Sequence, residues 1–290
     1  MTRRKFLLAL LPLLILATQI SHGQDDYFTG RDIFQKLMQD AKDKKWQKLP
    51  MGELVGTIGM TFVGTPYVAH TFELFDDKEV CVINLAGVDC ATFYEASLAL
   101  ARTIKSGHLN EKEFKKQITL IRYRGGKLNG YTSRLHYASD YFFDNDRKGT
   151  VKMITADLPG AEVFTQKVSF MSHNPDSYRQ LKANPALVPI IAKMEDEINA
   201  RRTFYLPTAK IADDEQLLQT GDIVGLTTHS QGLDITHTGM CYRDADGVLR
   251  FLNASSLKAN MKVVLGPRLS DVLKNSKVED GIMVVRPLEM

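Results

Sequence analysis

Residues 238–252 read Thr238-Gly239-Met240-Cys241-Tyr242-Arg243-Asp244-Ala245-Asp246-Gly247-Val248-Leu249-Arg250-Phe251-Leu252. Two short apolar runs flank Asp244-Ala245-Asp246-Gly247, a cluster of turn-forming residues, and that arrangement predicts a β-hairpin. Further short β segments are expected at 221–226, 263–265 and 282–285, so the C-terminal third should carry an antiparallel sheet. The first two thirds read as mainly helical. Ile33, Phe34, Leu37, Met38 and Ala41 recur at helical spacing behind Thr29-Gly30-Arg31-Asp32, which resembles a capping box. More helices are expected at about 52–62, ending at the turn Gly64-Thr65-Pro66-Tyr67, and at 91–104, 110–122 and 187–201. Strands are expected at 79–85 and 162–170. The polar, aromatic and glycine-bearing stretch 122–145 reads as a long functional loop. Helices followed by an antiparallel sheet make an α+β fold.

The N-terminus has the layout of a secretory signal peptide: Arg3-Arg4-Lys5, an almost wholly apolar run from Phe6 to Ala17, and cleavage expected after Gly23. The apolar run falls short of the roughly 20 residues that span a bilayer, so no stable membrane anchor is expected after cleavage. No cysteine stands near the cleavage point to carry a lipid. Residues 2–7 also match a twin-arginine pattern, which leaves the export route open. The expected product is a periplasmic or secreted chain comprising residues 24–290 as one domain. The sequence holds 37 Lys and Arg against 34 Asp and Glu, and the signal removes three of the basic residues. The balanced remainder lacks the basic footprint of a nucleic-acid binder.

Three cysteines in an exported chain leave at least one unpaired within the molecule. Their low density excludes a small disulfide-stapled fold. Cys81 and Cys241 lie in apolar strand-like runs and read as core residues. Cys90 differs: in Gly87-Val88-Asp89-Cys90-Ala91-Thr92-Phe93 it stands where a strand-like run gives way to a helix. A helix N-terminus stabilises a thiolate and lowers a cysteine pKa from about 8.5 to between roughly 3.5 and 7.5. The competing structural reading is a small buried side chain.

A cysteine nucleophile needs a base and a group that orients the base. His237, in Asp234-Ile235-Thr236-His237-Thr238-Gly239, is the best-placed histidine, at the entry to a strand. Gly239 beside it would admit a substrate or another backbone. With a three-residue hairpin loop, Ala245-Asp246-Gly247, Gly239 pairs with Asn253. His237 and Asn253 then become diagonal neighbours on one face, with Cα atoms about 7 to 8 Å apart. A two-residue loop reverses that parity, and Asn253 could equally begin a strand-terminating turn.

Gly64-Thr65-Pro66-Tyr67, Asp89-Cys90, Gly221-Asp222-Ile223-Val224, His237-Thr238-Gly239 and Asn253-Ala254-Ser255 together resemble the NlpC-type cell-wall cysteine hydrolases. Ser133-Arg134-Leu135-His136-Tyr137 and the run from Asp89 to Glu95 are more similar to the N-acetylmuramoyl-L-alanine amidase-like branch of that superfamily. The resemblance implies a papain-like α+β fold, with Cys90 as nucleophile, His237 as base and Asn253 as orienting residue. It further implies an amide bond of peptidoglycan or a muropeptide as substrate, and no cofactor. Tyr67, Asp89, Arg134 and His136 are the candidate substrate contacts, although Asp89 also suits a helix cap. Two departures stand out. Ala91-Thr92 replaces the Ser-Gly common after the cysteine, and Asn253 occupies a position that is often histidine. The bond between the lactyl group and L-Ala is favoured, with the D-Glu to diamino-acid bond as alternative. A zinc amidase using His229 and His237 lacks a compact metal motif, and a non-catalytic wall-binding module remains a further reading.

Overall fold

A computed structural model describes residues 27–290; the signal peptide expected at 1–23 lies outside the described residues. The helices are α1 (Arg31–Asp43), α2 (Met51–Thr61), α3 (Cys90–Lys105), α4 (Glu111–Arg122), α5 (Ala138–Arg147), α6 (Phe170–His173), α7 (Arg179–Ala183), α8 (Val188–Asn199), α9 (Thr208–Asp214) and α10 (Leu269–Val272). The strands are β1 (Phe28–Thr29), β2 (Ile83–Asn84), β3 (Val151–Met153), β4 (Glu162–Phe164), β5 (Thr203–Pro207), β6 (Ile223–Thr228), β7 (Ile235–Arg243), β8 (Leu249–Ser255), β9 (Lys262–Arg268) and β10 (Glu279–Pro287).

The fold is a mixed α/β arrangement around a central antiparallel sheet ordered β4-β5-β10-β6-β7-β8-β9, with β3 also pairing with β10. Strands β1 and β2 form a separate parallel pair. Alternate residues of the central strands divide between two cores. Ile223, Met240, Leu252, Met283 and Val285 pack with the helical N-terminal half. Val224, Cys241, Phe251, Ile282 and Val284 pack with Ile211 of α9 and Leu269 of α10. This is the period of two of a pleated strand. Because both faces are covered, the strands read as nearly continuous apolar runs. Cys241 is accordingly a core residue.

The hairpin between β7 and β8 has the three-residue loop. Asp244 N–H donates to Val248 O at 3.0 Å, Gly247 takes a φ of +78°, and Met240 pairs with Leu252. A Cβ on Gly239 would stand 2.7 Å from the Leu252 carbonyl oxygen and from the Phe251 ring. The glycine thus admits the neighbouring strand rather than a substrate.

Helix α3 is buried on all sides from Thr92 to Ile104, which its largely apolar circumference permits. It packs against α2, α4 and β7. Ser97 and Thr103 sit inside it with their hydroxyls satisfied by carbonyls one turn back, Phe93 O at 2.9 Å and Ala99 O at 2.8 Å. A third apolar cluster, including Tyr131, Tyr137, Met171, Leu181 and Ile191, joins the 131–137 segment to α6, α7 and α8.

Several local expectations are corrected, all but the first because a distant side chain replaces a local partner. The cap of α1 is Gly30, left-handed at φ 87° and without a side chain to bond, whereas Thr29 belongs to β1. The strand expected at 79–85 shrinks to Ile83–Asn84. Alternate carbonyls of this stretch accept from side chains instead of a neighbouring strand: Lys78 O from Gln180, Val80 O from Tyr123 and Val82 O from Arg122. Cys81 therefore lies in a loop, half-buried beside Thr119 and Arg122. The strand expected to reach 170 stops at Phe164, and the Asn199 carboxamide then takes both the N–H and the C=O of Val168. The expected loop 122–145 contains two short turns of 3-10 helix and then α5. The Ser139 N–H in the first turn of α5 donates at 2.9 Å to the carboxylate of Asp234, which lies 95 positions away in sequence.

Candidate active site

A cleft of about 290 Å³ opens where the N-terminus of α3 meets the start of β7, and the segment 134–141 forms another wall. Cys90, Ala91, Tyr94 and Glu95 line it from α3, and Leu233 to Thr238 line it from β7 and the residues before it. Phe72, Met171 and Tyr178 close other sides.

Cys90 is the first residue of α3 and is half-buried. Asp89 caps the helix: its carboxylate accepts from the Thr92 N–H at 2.7 Å, while the Thr92 hydroxyl accepts from the Asp89 N–H at 2.8 Å. The helix start was expected to lower the thiol pKa, and the surroundings do the opposite. Burial pushes the Cys90 thiol up and the Asp89 carboxylate adds to this, outweighing the Thr238 and Ala91 groups that favour the thiolate. These surroundings favour the neutral thiol over the thiolate.

His237 also lines the cleft, half-buried, and its Nε2 lies 3.0 Å from Asn253 Oδ1. The Asn253 Nδ2 donates to Phe251 O at 3.2 Å, which fixes the carboxamide with its oxygen toward the ring. Nε2 must then carry the proton, leaving the Nδ1 lone pair as the basic site. Burial lowers the imidazole pKa below its ordinary value, and the bond to Asn253 opposes that only in part. Cys90 and His237 thus line one cleft, and the surroundings of each favour its uncharged form.

The other expected residues take distinct positions. Arg134 and His136 line the cleft. The Arg134 guanidinium already faces two carboxylates, Glu73 at 3.0 Å and Glu79 at 3.4 Å, so its charge is balanced within the protein. His136 Nε2 bonds Tyr131 O at 2.9 Å, and burial with Arg134 nearby holds its pKa well below the ordinary value. Tyr67 stands outside the lining, held by its N–H on Met261 O at 3.0 Å. Its backbone bridges to Val88 just before the same helix start, and burial, then Cys90 and Asp89, push its hydroxyl up to about 12. His229 is exposed and does not line the cleft.

Sequence reasoning missed the floor of the cleft. Glu95 and Arg122 form a buried ion pair, Nε to Oε2 at 3.0 Å, and the guanidinium lies 4.7 Å from the Phe72 ring centre. Their separation of 27 positions leaves no local signal. Thr238 was also passed over, although its place one residue after His237 on a strand entering the cleft could have drawn notice.

The N-acetylmuramoyl-L-alanine amidase-like family matches residues 57–282. An N-acetylmuramoyl-L-alanine amidase structure from Bacteroides uniformis is similar at 38% identity with a TM-score of 0.75, covering 82% of this chain and 99% of that one. A Bacteroides fragilis structure described as a candidate xylanase is similar at 40% identity and a TM-score of 0.72, covering 79% and 99%. A Legionella pneumophila protein at 19% identity and a TM-score of 0.66 shares the fold. Comparison with curated proteins finds no match.

Proposed function

The chain belongs to the N-acetylmuramoyl-L-alanine amidase-like family, and from that premise we propose that it is a cysteine hydrolase of peptidoglycan fragments, cutting the amide between the muramoyl lactyl group and L-Ala. The observation that carries the mechanism is the 3.0 Å contact between His237 and Asn253 beside a cleft that Cys90 also lines. Nδ1 of His237 takes the thiol proton as Cys90 Sγ attacks the amide carbonyl carbon. The protonated imidazole then gives that proton to the leaving L-Ala amine, and a thioester remains. Water, deprotonated by His237, hydrolyses the thioester and frees the lactyl carboxylate. Backbone N–H groups at the start of α3 hold the oxyanion, each worth about 2.7 to 4 kcal/mol in a comparable site.

A glycosidase instead needs two carboxyl groups facing one bond. The carboxylates here are otherwise engaged: Glu73 with Arg134, Glu95 with Arg122, and Asp234 with the N–H groups of Ser139 and Ile235. Those contacts support the amidase reading over the xylanase one. We read the chain as a papain-like, NlpC-type domain over 24–290, exported to the periplasm or beyond after loss of residues 1–23. Among the described residues no helix is long and apolar enough to cross a membrane.

The test is mass spectrometry of products from a muropeptide containing the lactyl to L-Ala bond, incubated with residues 24–290. A released peptide beginning at L-Ala, absent with Cys90→Ala, is expected. A product beginning at the diamino acid reassigns the bond, and unchanged turnover by Cys90→Ala removes the cysteine mechanism.

A further inference from the structure

Burial and the Asp89 charge both oppose ionisation of Cys90, so the thiolate that forms during attack needs a donor. The Thr238 hydroxyl is 96% hidden at the residue level, Thr238 being 4% exposed, and its oxygen has no hydrogen-bond partner. Orphaned polar atoms of this kind are rare in folded proteins and each calls for a reason. Thr238 lines the cleft with Cys90, on the strand β7 that packs against α3, and its hydroxyl and N–H are among the groups that favour the Cys90 thiolate. The hydroxyl lies beside the thiol without a formed bond. A thiol is a weak acceptor and a thiolate a strong one, so the bond gains strength as the charge develops.

We propose that Thr238 donates its hydroxyl hydrogen to the Cys90 thiolate as His237 removes the thiol proton, and so stabilises the reactive sulfur in a buried setting. Thr238 keeps its own proton throughout. The bond appears with the thiolate and is lost when the sulfur becomes a neutral thioester. This rests on Cys90 being the nucleophile. The charged and titratable groups near the sulfur are Asp89 at the cap, Tyr94 from α3 and Tyr67 from the turn after α2, and His237 from β7 lines the same cleft.

The test follows iodoacetamide labelling of Cys90 against pH, with the modified peptide identified by mass spectrometry so that Cys81 does not contribute. Thr238→Val keeps the shape and removes the donor, Thr238→Ala removes it without crowding, and Thr238→Ser retains it. The labelling profile should move roughly one to two pH units upward in the Val and Ala variants, as loss of a bond to a charged group implies, and stay in place for Ser. kcat on the muropeptide should fall roughly 10- to 100-fold in the same two variants with KM unchanged. Superimposable profiles for all four proteins, or an equal shift in the Ser variant, overturn the proposal. Turnover that survives Cys90→Ala overturns the nucleophile reading instead, while the labelling profile still reports on Thr238 alone.

Discussion

The imidazole of His237 on β7 donates from Nε2 to Oδ1 of Asn253 on β8 at 3.0 Å, across a register set by a three-residue loop. The bond decides which ring nitrogen is basic. Asn253→Ala frees the ring to rotate and to change tautomer while leaving the cleft walls in place. We expect kcat to fall by about 100-fold, within the usual range for general acid–base catalysis, with KM nearly unchanged. Steady-state kinetics on the muropeptide checks this; an unaltered kcat means the carboxamide does not orient the base.

Asp89 has two opposed effects on its neighbours, and two substitutions separate them. Asp89→Asn keeps a capping side chain but removes the negative charge, so the Cys90 thiol pKa should fall and labelling at a fixed pH near neutrality should speed up. Asp89→Ala removes the cap as well and should cost about 1 kcal/mol in a urea melt. A slower-labelling Asn variant contradicts the electrostatic account.

His136 is half-buried in the cleft wall, and desolvation with Arg134 nearby holds its pKa well below 6.5. Above pH 6.5 both the folded and unfolded chains leave this ring uncharged, so its contribution to stability is complete. Below 6.5 the unfolded chain binds a proton that the folded chain refuses, and stability falls by up to about 1.4 kcal/mol per pH unit from this one group. His136→Gln should remove that slope. The difference between wild-type and variant stability should therefore grow as the pH drops from 7 to 5 in favour of the variant; a constant difference means the ring titrates normally.

The Glu95–Arg122 pair is 3% and 4% exposed on its two sides. Arg122→Met strands a carboxylate in the core and also leaves Val82 O without its donor. The loss should be about 3 to 5 kcal/mol, read as a lower urea midpoint. Replacing both residues with apolar ones of similar size should recover part of the loss, since no unpaired buried charge then remains. A single variant as stable as wild type would show that water reaches Glu95.

Much of the fold was legible because it rests on contacts between residues close in sequence. The Asp244–Gly247 turn and the alternation beyond it were enough to predict the hairpin, whereas the shared face of His237 and Asn253 hung on a three- rather than a two-residue loop, which only the fold settles. Asn110 caps α4 by accepting from the Glu113 N–H at 2.9 Å, a bond spanning three residues. The errors fell where a distant side chain satisfied the backbone: Asn199 on Val168, Asp234 on Ser139, and Gln180, Tyr123 and Arg122 along 78–82. A propensity scan cannot register such bonds, because their donors and acceptors are brought together only by packing.

The sequence by itself determined the antiparallel sheet and the start of a helix at Cys90, both consequences of turn chemistry and of the fixed periods of strand and helix, and left the parity of His237 and Asn253 to the length of the hairpin loop. The tertiary structure alone decided the surroundings that disfavour the thiolate, the engagement of Arg134 by Glu73 and Glu79, and the unpartnered hydroxyl of Thr238. Those properties depend on how much water is excluded and which charges are brought near, and both are set by segments that meet only when the chain has folded.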